Sequence, residues 1–98
     1  MIQVYAVNAS NINQEVYDTL YAQASQERKI RADRCLSRED AVCCIAAERL
    51  LRYAVKTHLG NQEFALETNA YGKPRIKGNP DFHFNLSHSG NWVVLACR

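Results

Sequence analysis

The chain's 98 residues, 47% of them hydrophobic, set a ceiling of one compact domain, whose core buries roughly 60 to 65% of the unfolded surface. A formal net charge of +2 is too small to imply a nucleic acid or other polyanion partner, so any electrostatic role must come from where the charges cluster. No apolar run approaches the ~20 residues of a membrane span, and Met1-Ile2-Gln3-Val4-Tyr5-Ala6-Val7 lacks the basic and long apolar regions of a secretory signal. A cytoplasmic protein without a membrane contact is expected, and Cys35, Cys43, Cys44 and Cys97, which form no Cys-x-x-Cys pair, read as reduced and mostly buried thiols.

Ile2, Val4 and Ala6 alternate with Gln3, Tyr5 and Val7, the pattern of a strand with at least one buried face. Val16, Leu20 and Ala24, with Tyr17 and Tyr21 beside them, recur at helical spacing from about Ile12, and Ser25 can cap a second short helix through Arg34. Ser37-Arg38-Glu39-Asp40 resembles a capping box ahead of the apolar run Ala41 to Leu59, which Gly60 can close. This is the expected central helix, with Glu48, Arg49, Arg52 and Lys56 on its wet side. Beyond Gly60 the period falls to two. Phe64 and Leu66 alternate against Glu63 and Glu67, then Phe82, Phe84 and Leu86 against His83, Asn85 and Ser87. A tight turn at Ser89-Gly90-Asn91 leads into Trp92-Val93-Val94-Leu95-Ala96-Cys97, a hairpin strand that is apolar on both faces and therefore expects cover.

Three segments carry candidate chemistry. Arg28, Lys29, Arg31, Arg34 and Arg38 crowd one stretch, where Arg28 and Arg31 share a helix face and could grip a phosphate with forked hydrogen bonds. The same run also fits a solvated face balanced by Glu27, Asp33, Glu39 and Asp40. Tyr71-Gly72-Lys73-Pro74 holds a lysine in a fixed turn. Ser87-His88-Ser89-Gly90 could turn backbone amides, hydroxyls and an imidazole toward an anion as a nest, or be an ordinary loop. No nucleophile elbow accompanies it, which argues against a hydrolase triad. His58 fits a helix C-terminus, His83 a half-exposed strand position, and no local pair has zinc-ligand spacing.

With Tyr71-Gly72-Lys73-Pro74, then Phe84-Asn85-Leu86-Ser87-His88-Ser89, then Trp92 in that order and spacing, the chain resembles the N-terminal half of phosphopantetheinyl transferases of the surfactin-synthetase-activating type. The resemblance implies an α+β fold, one half of a pseudo-twofold pair, with a long central helix on a small, mainly antiparallel sheet. Residues 1–98 would be the N-terminal subdomain, without the C-terminal one. It further implies transfer of 4'-phosphopantetheine from coenzyme A to a serine of an acyl or peptidyl carrier protein. In that reading Arg28 and Arg31 hold the 3'-phosphate, Lys73 meets the adenine and phosphate region, Ser87 and His88 grip the phosphates, and Pro74 and Arg75 shape the pocket. Cys44 stands where the family often carries a small hydroxyl residue, a weaker donor for phosphate. The carboxylate segments that hold magnesium in the family do not occur before Arg98, so no catalytic or metal-ligating residue is expected here, and a fragment inactive alone is implied. Its exposed flank would face the missing half or a second copy. Two other readings stay open: a non-catalytic coenzyme A or nucleotide-binding module, and a structural subunit completed by a separate partner.

Overall fold

The computed structural model describes residues 1–60, 64–68 and 70–98. Strand β1 (Gln3–Asn8) leads through a 3-10 turn (Ala9–Asn11) into α1 (Gln14–Gln23), α2 (Gln26–Asp33) and α3 (Arg38–Leu59). Strands β2 (Leu66–Thr68), β3 (Pro74–Ile76), β4 (Phe84–Ser89) and β5 (Trp92–Cys97) follow. They form an antiparallel sheet ordered β1-β5-β4 and a separate β2-β3 hairpin, an α+β arrangement as expected.

Local capping explains the helix boundaries. The Asn13 side chain accepts the Val16 N–H at 2.9 Å, so α1 starts at Gln14, two residues later than the apolar spacing suggests. The Ser25 hydroxyl accepts the Arg28 N–H at 3.2 Å and begins α2. The Ser37 hydroxyl accepts the Asp40 N–H at 3.1 Å and begins α3. Gly60, at φ 78°, closes α3 by donating its N–H to the Lys56 carbonyl at 3.0 Å. That left-handed conformation costs glycine least.

The long helix α3 crosses the sheet and packs along its whole length. Its first half (Val42, Cys43, Ala46) meets Ala9 and Val93. Its second half (Leu51, Ala54, Val55) meets Ile76, Phe82, Phe84, Leu95 and Cys97. On β5 the buried residues Val93, Leu95 and Cys97 alternate with Trp92, Val94 and Ala96, so one face of this doubly apolar strand is in the core. The registers Tyr5↔Leu95 and Val7↔Val93 place Tyr5 and Val7 on that inner face. Ile2 and Val4 therefore stay 62% and 63% exposed on the outer face. Gly90, at φ 58°, opens the two-residue turn Gly90-Asn91 between Ser89 and Trp92. The Asn91 carbonyl accepts the Ala9 N–H at 2.7 Å and ties the hairpin tip to the end of β1.

Two sequence expectations change. Glu48 is not on the wet side of α3: it is only 7% exposed and receives the Ser25 N–H at 2.7 Å and the Ser25 hydroxyl at 2.8 Å. Two guanidinium groups, on Arg28 and Arg52, flank it at 3.5 and 3.3 Å. Partners on α2 and on its own next turn make the burial of this charge tolerable. On β2, Leu66 is exposed and Glu67 half-buried, the reverse of the expected alternation, because Glu67 pairs across the hairpin with Arg75. The expected partner in that pattern, Glu63, lies outside the described residues. His58 lies in the last turn of α3, as expected, where its Nε2 shares a 2.9 Å hydrogen bond with the Tyr5 hydroxyl.

All four cysteines are free. Burial pushes the Cys43 and Cys97 thiols above their ordinary value of 9.0. Because the folded values are the higher ones, the stabilisation they carry is complete below the ordinary value and is lost as pH rises through the folded values. The expected outcome is that iodoacetamide labels Cys43 and Cys97 only after unfolding, and that the melting temperature falls on moving to strongly alkaline pH. Native labelling of both, read by peptide mass spectrometry, would contradict this packing.

Candidate anion-binding cleft

A cleft of about 570 Å³ opens between α2, the first half of α3 and strand β4. Of the residues singled out from the sequence, Arg28, Arg31, Lys73, Pro74, Ser87 and His88 all border it. Arg28 and Arg31 come from one face of α2, three residues apart, as the helical spacing requires. Lys73 is the last residue before β3, and Gly72 at φ 82° sets the turn that delivers it. Ser87 and His88 come from β4, an edge strand of the main sheet. Three formal cations thus face the space, with Asp40 the one carboxylate among the described residues that line it. Such an arrangement favours a multiply charged anion.

Ser87 and His88 sit in the β4–β5 ladder opposite Val94 and Val93, not in a turn, so strand alternation puts His88 on the α3 side with Val93 and Ser87 on the outer side with Val94, and Ser87 borders the cleft at the strand edge. In this hairpin Gly90 alone has positive φ among the described residues, so the expected backbone nest is replaced by the free edge of β4. An edge strand still offers unpaired N–H groups, because half of its backbone has no neighbour strand. Arg75 is the one predicted site residue that does not border the cleft. Side chains alternate along a strand, so Arg75 points away from the face of Pro74 and Ile76. Its Nε meets the Glu67 carboxylate at 2.9 Å instead.

The Arg28 side chain is held rather than free. It is 11% exposed, with its Nε 3.5 Å from Glu48 and its Nη1 3.9 Å from the Cys44 sulfur. The Cys44 thiol in turn lies 4.0 Å from the Arg28 carbonyl. Cys44 therefore packs against the arginine that borders the same cleft. Cys35 also lines the space, its thiol directed at the Arg31 carbonyl at 3.4 Å and pushed above its ordinary value by burial, with the Cys44 and Asp40 charges adding to the shift. The sequence reading missed Cys35 and Asp40 as parts of this wall; the only signal was that both flank the α2–α3 junction. Among the described residues no group of three or more His, Cys, Asp or Glu side chains is arranged to hold a metal ion. No described helix is long and apolar enough to cross a membrane.

The pair formed by Arg75 and Glu67 is exposed, with 50% and 38% of the side chains open to water. Arg75→Ala is therefore expected to cost less than about 1 kcal/mol in urea unfolding. It should also leave the affinity of the cleft for anions unchanged in calorimetry, and a clear loss of anion affinity would return Arg75 to the site.

Comparison with known proteins matches residues 11–98 to the family model described as "4'-phosphopantetheinyl transferase, N-terminal". A 4'-phosphopantetheinyl transferase of Bacillus subtilis is 36% identical over 81 residues, covering 81% of this chain and 36% of that protein. The 4'-phosphopantetheinyl transferase Sfp of Bacillus subtilis (strain 168) is 33% identical over 87 residues, covering 87% and 39%. The 4'-phosphopantetheinyl transferase gsp of Aneurinibacillus migulanus is 33% identical over 99 residues, covering 98% and 41%. The chain thus spans well under half the length of these curated relatives.

Proposed function

The chain belongs to the 4'-phosphopantetheinyl transferase family, and from that membership we propose that residues 1–98 form an N-terminal subdomain that holds the phosphates of coenzyme A in the cytoplasm. The reaction it serves is transfer of the 4'-phosphopantetheine arm to a serine of an acyl or peptidyl carrier protein. In that step the serine oxygen bonds to the phosphorus bearing pantetheine and gives up its proton. The pyrophosphate P–O bond breaks, and adenosine 3',5'-bisphosphate leaves with the electron pair.

The observation that carries this reading is the meeting of Arg28 and Arg31, Lys73, and Ser87 and His88 on one cleft from three separated stretches of chain. Arg28 and Arg31 take the 3'-phosphate, Lys73 takes the adenine and phosphate region with Pro74 as its wall, and Ser87 and His88 take the remaining phosphates. Their part in catalysis is placement. Phosphoryl transfer depends mainly on positioning and charge neutralisation, and a fixed set of cations supplies both. Magnesium, when bound, adds neutralisation of the pyrophosphate. Every role assigned here is one of binding and placement, and we infer that the chain is inactive alone.

The outer face of the main sheet complements this assignment. Ile2, Val4 and Trp92 are more than half exposed there, beside Ala6, Val94 and Ala96. Contiguous apolar surface of this kind marks a contact site. Since the chain spans 36 to 41% of its relatives, we assign to this face the part of the family fold that those relatives carry beyond the matched segment. Self-association of the isolated chain would use the same surface.

Titration with coenzyme A, followed by thermal shift with and without magnesium, tests the reading. A stabilisation of about 2.7 kcal/mol is expected once ligand reaches a hundred times its dissociation constant, and it should be indifferent to magnesium. Lys73→Ala and His88→Ala should each weaken binding by roughly tenfold or more, the worth of a hydrogen bond to a charged group. Incubation with coenzyme A, magnesium and a carrier protein should give no transfer. Absence of any shift in the wild type, or turnover at ordinary enzyme rates, would contradict the assignment.

A further inference from the structure

We propose that Glu48, which does not border the cleft, is the positioning residue that aims Arg28 into it, so that anion affinity depends on a carboxylate the ligand never touches. The inference rests on the reading of the cleft as a phosphate site. Both Glu48 oxygens are occupied at the α2 N-terminus. Oε1 accepts the Ser25 N–H at 2.7 Å, and Oε2 accepts the Ser25 hydroxyl at 2.8 Å. That same hydroxyl oxygen accepts the Arg28 N–H at 3.2 Å. The carboxylate therefore fixes both the start of α2 and, through Ser25, the backbone of Arg28.

It also fixes the Arg28 side chain. The Nε edge of the guanidinium lies 3.5 Å from Oε2, while Nη1 lies 3.9 Å from Cys44, and Cys44 borders the cleft. A guanidinium has five donors in a rigid fork, so one edge can be held by a carboxylate while another meets a ligand. An arginine anchored in this way has already lost its rotamer freedom on folding and loses little more on binding. Arg52, 3.3 Å from Oε1, adds a second cation, so the trio of Glu48, Arg28 and Arg52 is net positive. A lysine at 28 offers three donors from a single point charge, without the separate edges by which one guanidinium meets Glu48 and an anion.

The test is calorimetry of the 98-residue chain with adenosine 3',5'-bisphosphate. Glu48→Gln should weaken binding by roughly tenfold, Glu48→Asp should recover part of that loss, and the double variant with Arg28→Ala should bind no worse than Arg28→Ala alone, since the two side chains act as one unit. A residue that only stabilised the fold would give losses that add. Additive losses, or wild-type affinity in Glu48→Gln, would overturn the proposal. Should Glu48→Gln fail to fold, Arg28→Lys decides the point: it should bind more weakly than the wild type, and wild-type affinity would overturn the proposal. If the wild type binds no bisphosphate, the proposed function fails separately, and the positioning claim is judged by the Arg28 Nε–H resonance. That signal should shift and exchange faster in Glu48→Asp, and an unchanged signal would overturn the claim.

Discussion

A carboxylate buried between two helices organises this molecule. Glu48 is 7% exposed, and an ion removed from water to that degree costs several kcal/mol unless its partners are placed to meet it. Ser25, Arg28 and Arg52 are those partners. A small domain has only about 5 to 15 kcal/mol of net stability, so the position of α2 on α3 cannot drift far without exposing an unpaired charge. The short helix is polar, with Ala32 its one buried residue, and a polar clamp supplies the docking that apolar area does not. Arg28 and Arg31 inherit their positions from that clamp.

The remaining wall of the cleft is set by a different force. Leu95 and Ile76, at 0% and 1% exposure, lie in one core with Phe82 and Phe84 under the second half of α3. Packing at this density leaves little freedom to shift. It therefore fixes β4, and with it Ser87 and His88, relative to the β3 strand that begins just after Lys73. Two layers, one docked by charge and one by apolar burial, meet at a gap about 570 Å³ in volume. An anion carrying several charges matches that gap. On the opposite face of the sheet β5 is apolar as well: one side serves this core, and the other, with Ile2 and Val4, forms the exposed stripe.

Much of this could be read from the residues. Ser25, Ser37 and Gly60 announced the helix ends because caps act over three or four residues, a range visible in sequence. The alternation of Phe82 and Phe84 with His83 announced the strand near β4, and the spacing of the Lys73 and His88 segments carried the family resemblance. What stayed hidden was long-range. Glu48 looks like any charge on the polar side of a helix until α2 is laid across it, because its partners Ser25 and Arg28 belong to the preceding helix and its cap, far beyond the reach of local spacing. The burial of β1 was ambiguous for the same reason: Ile2, Val4 and Ala6 and their neighbours Tyr5 and Val7 are all apolar enough for either face, and only the register with β5 decides. Arg75 was assigned to the pocket because it follows Lys73 and Pro74, but a strand's two-residue period turns it to Glu67. Cys35 and Asp40 carried no motif and enter the cleft through the fold of the α2–α3 junction.

The central claim is that residues distant in sequence form one working phosphate site within these 98 residues. The most direct measurement is a two-dimensional nitrogen-proton NMR titration of the labelled chain with coenzyme A. The account expects saturable shifts concentrated at Arg28, Arg31, Cys44, Lys73, Ser87 and His88, with the outer-face residues Val4 and Trp92 unmoved. Saturable shifts centred instead on the outer face or around His58 and Arg98, or no saturable shifts at all, would contradict it.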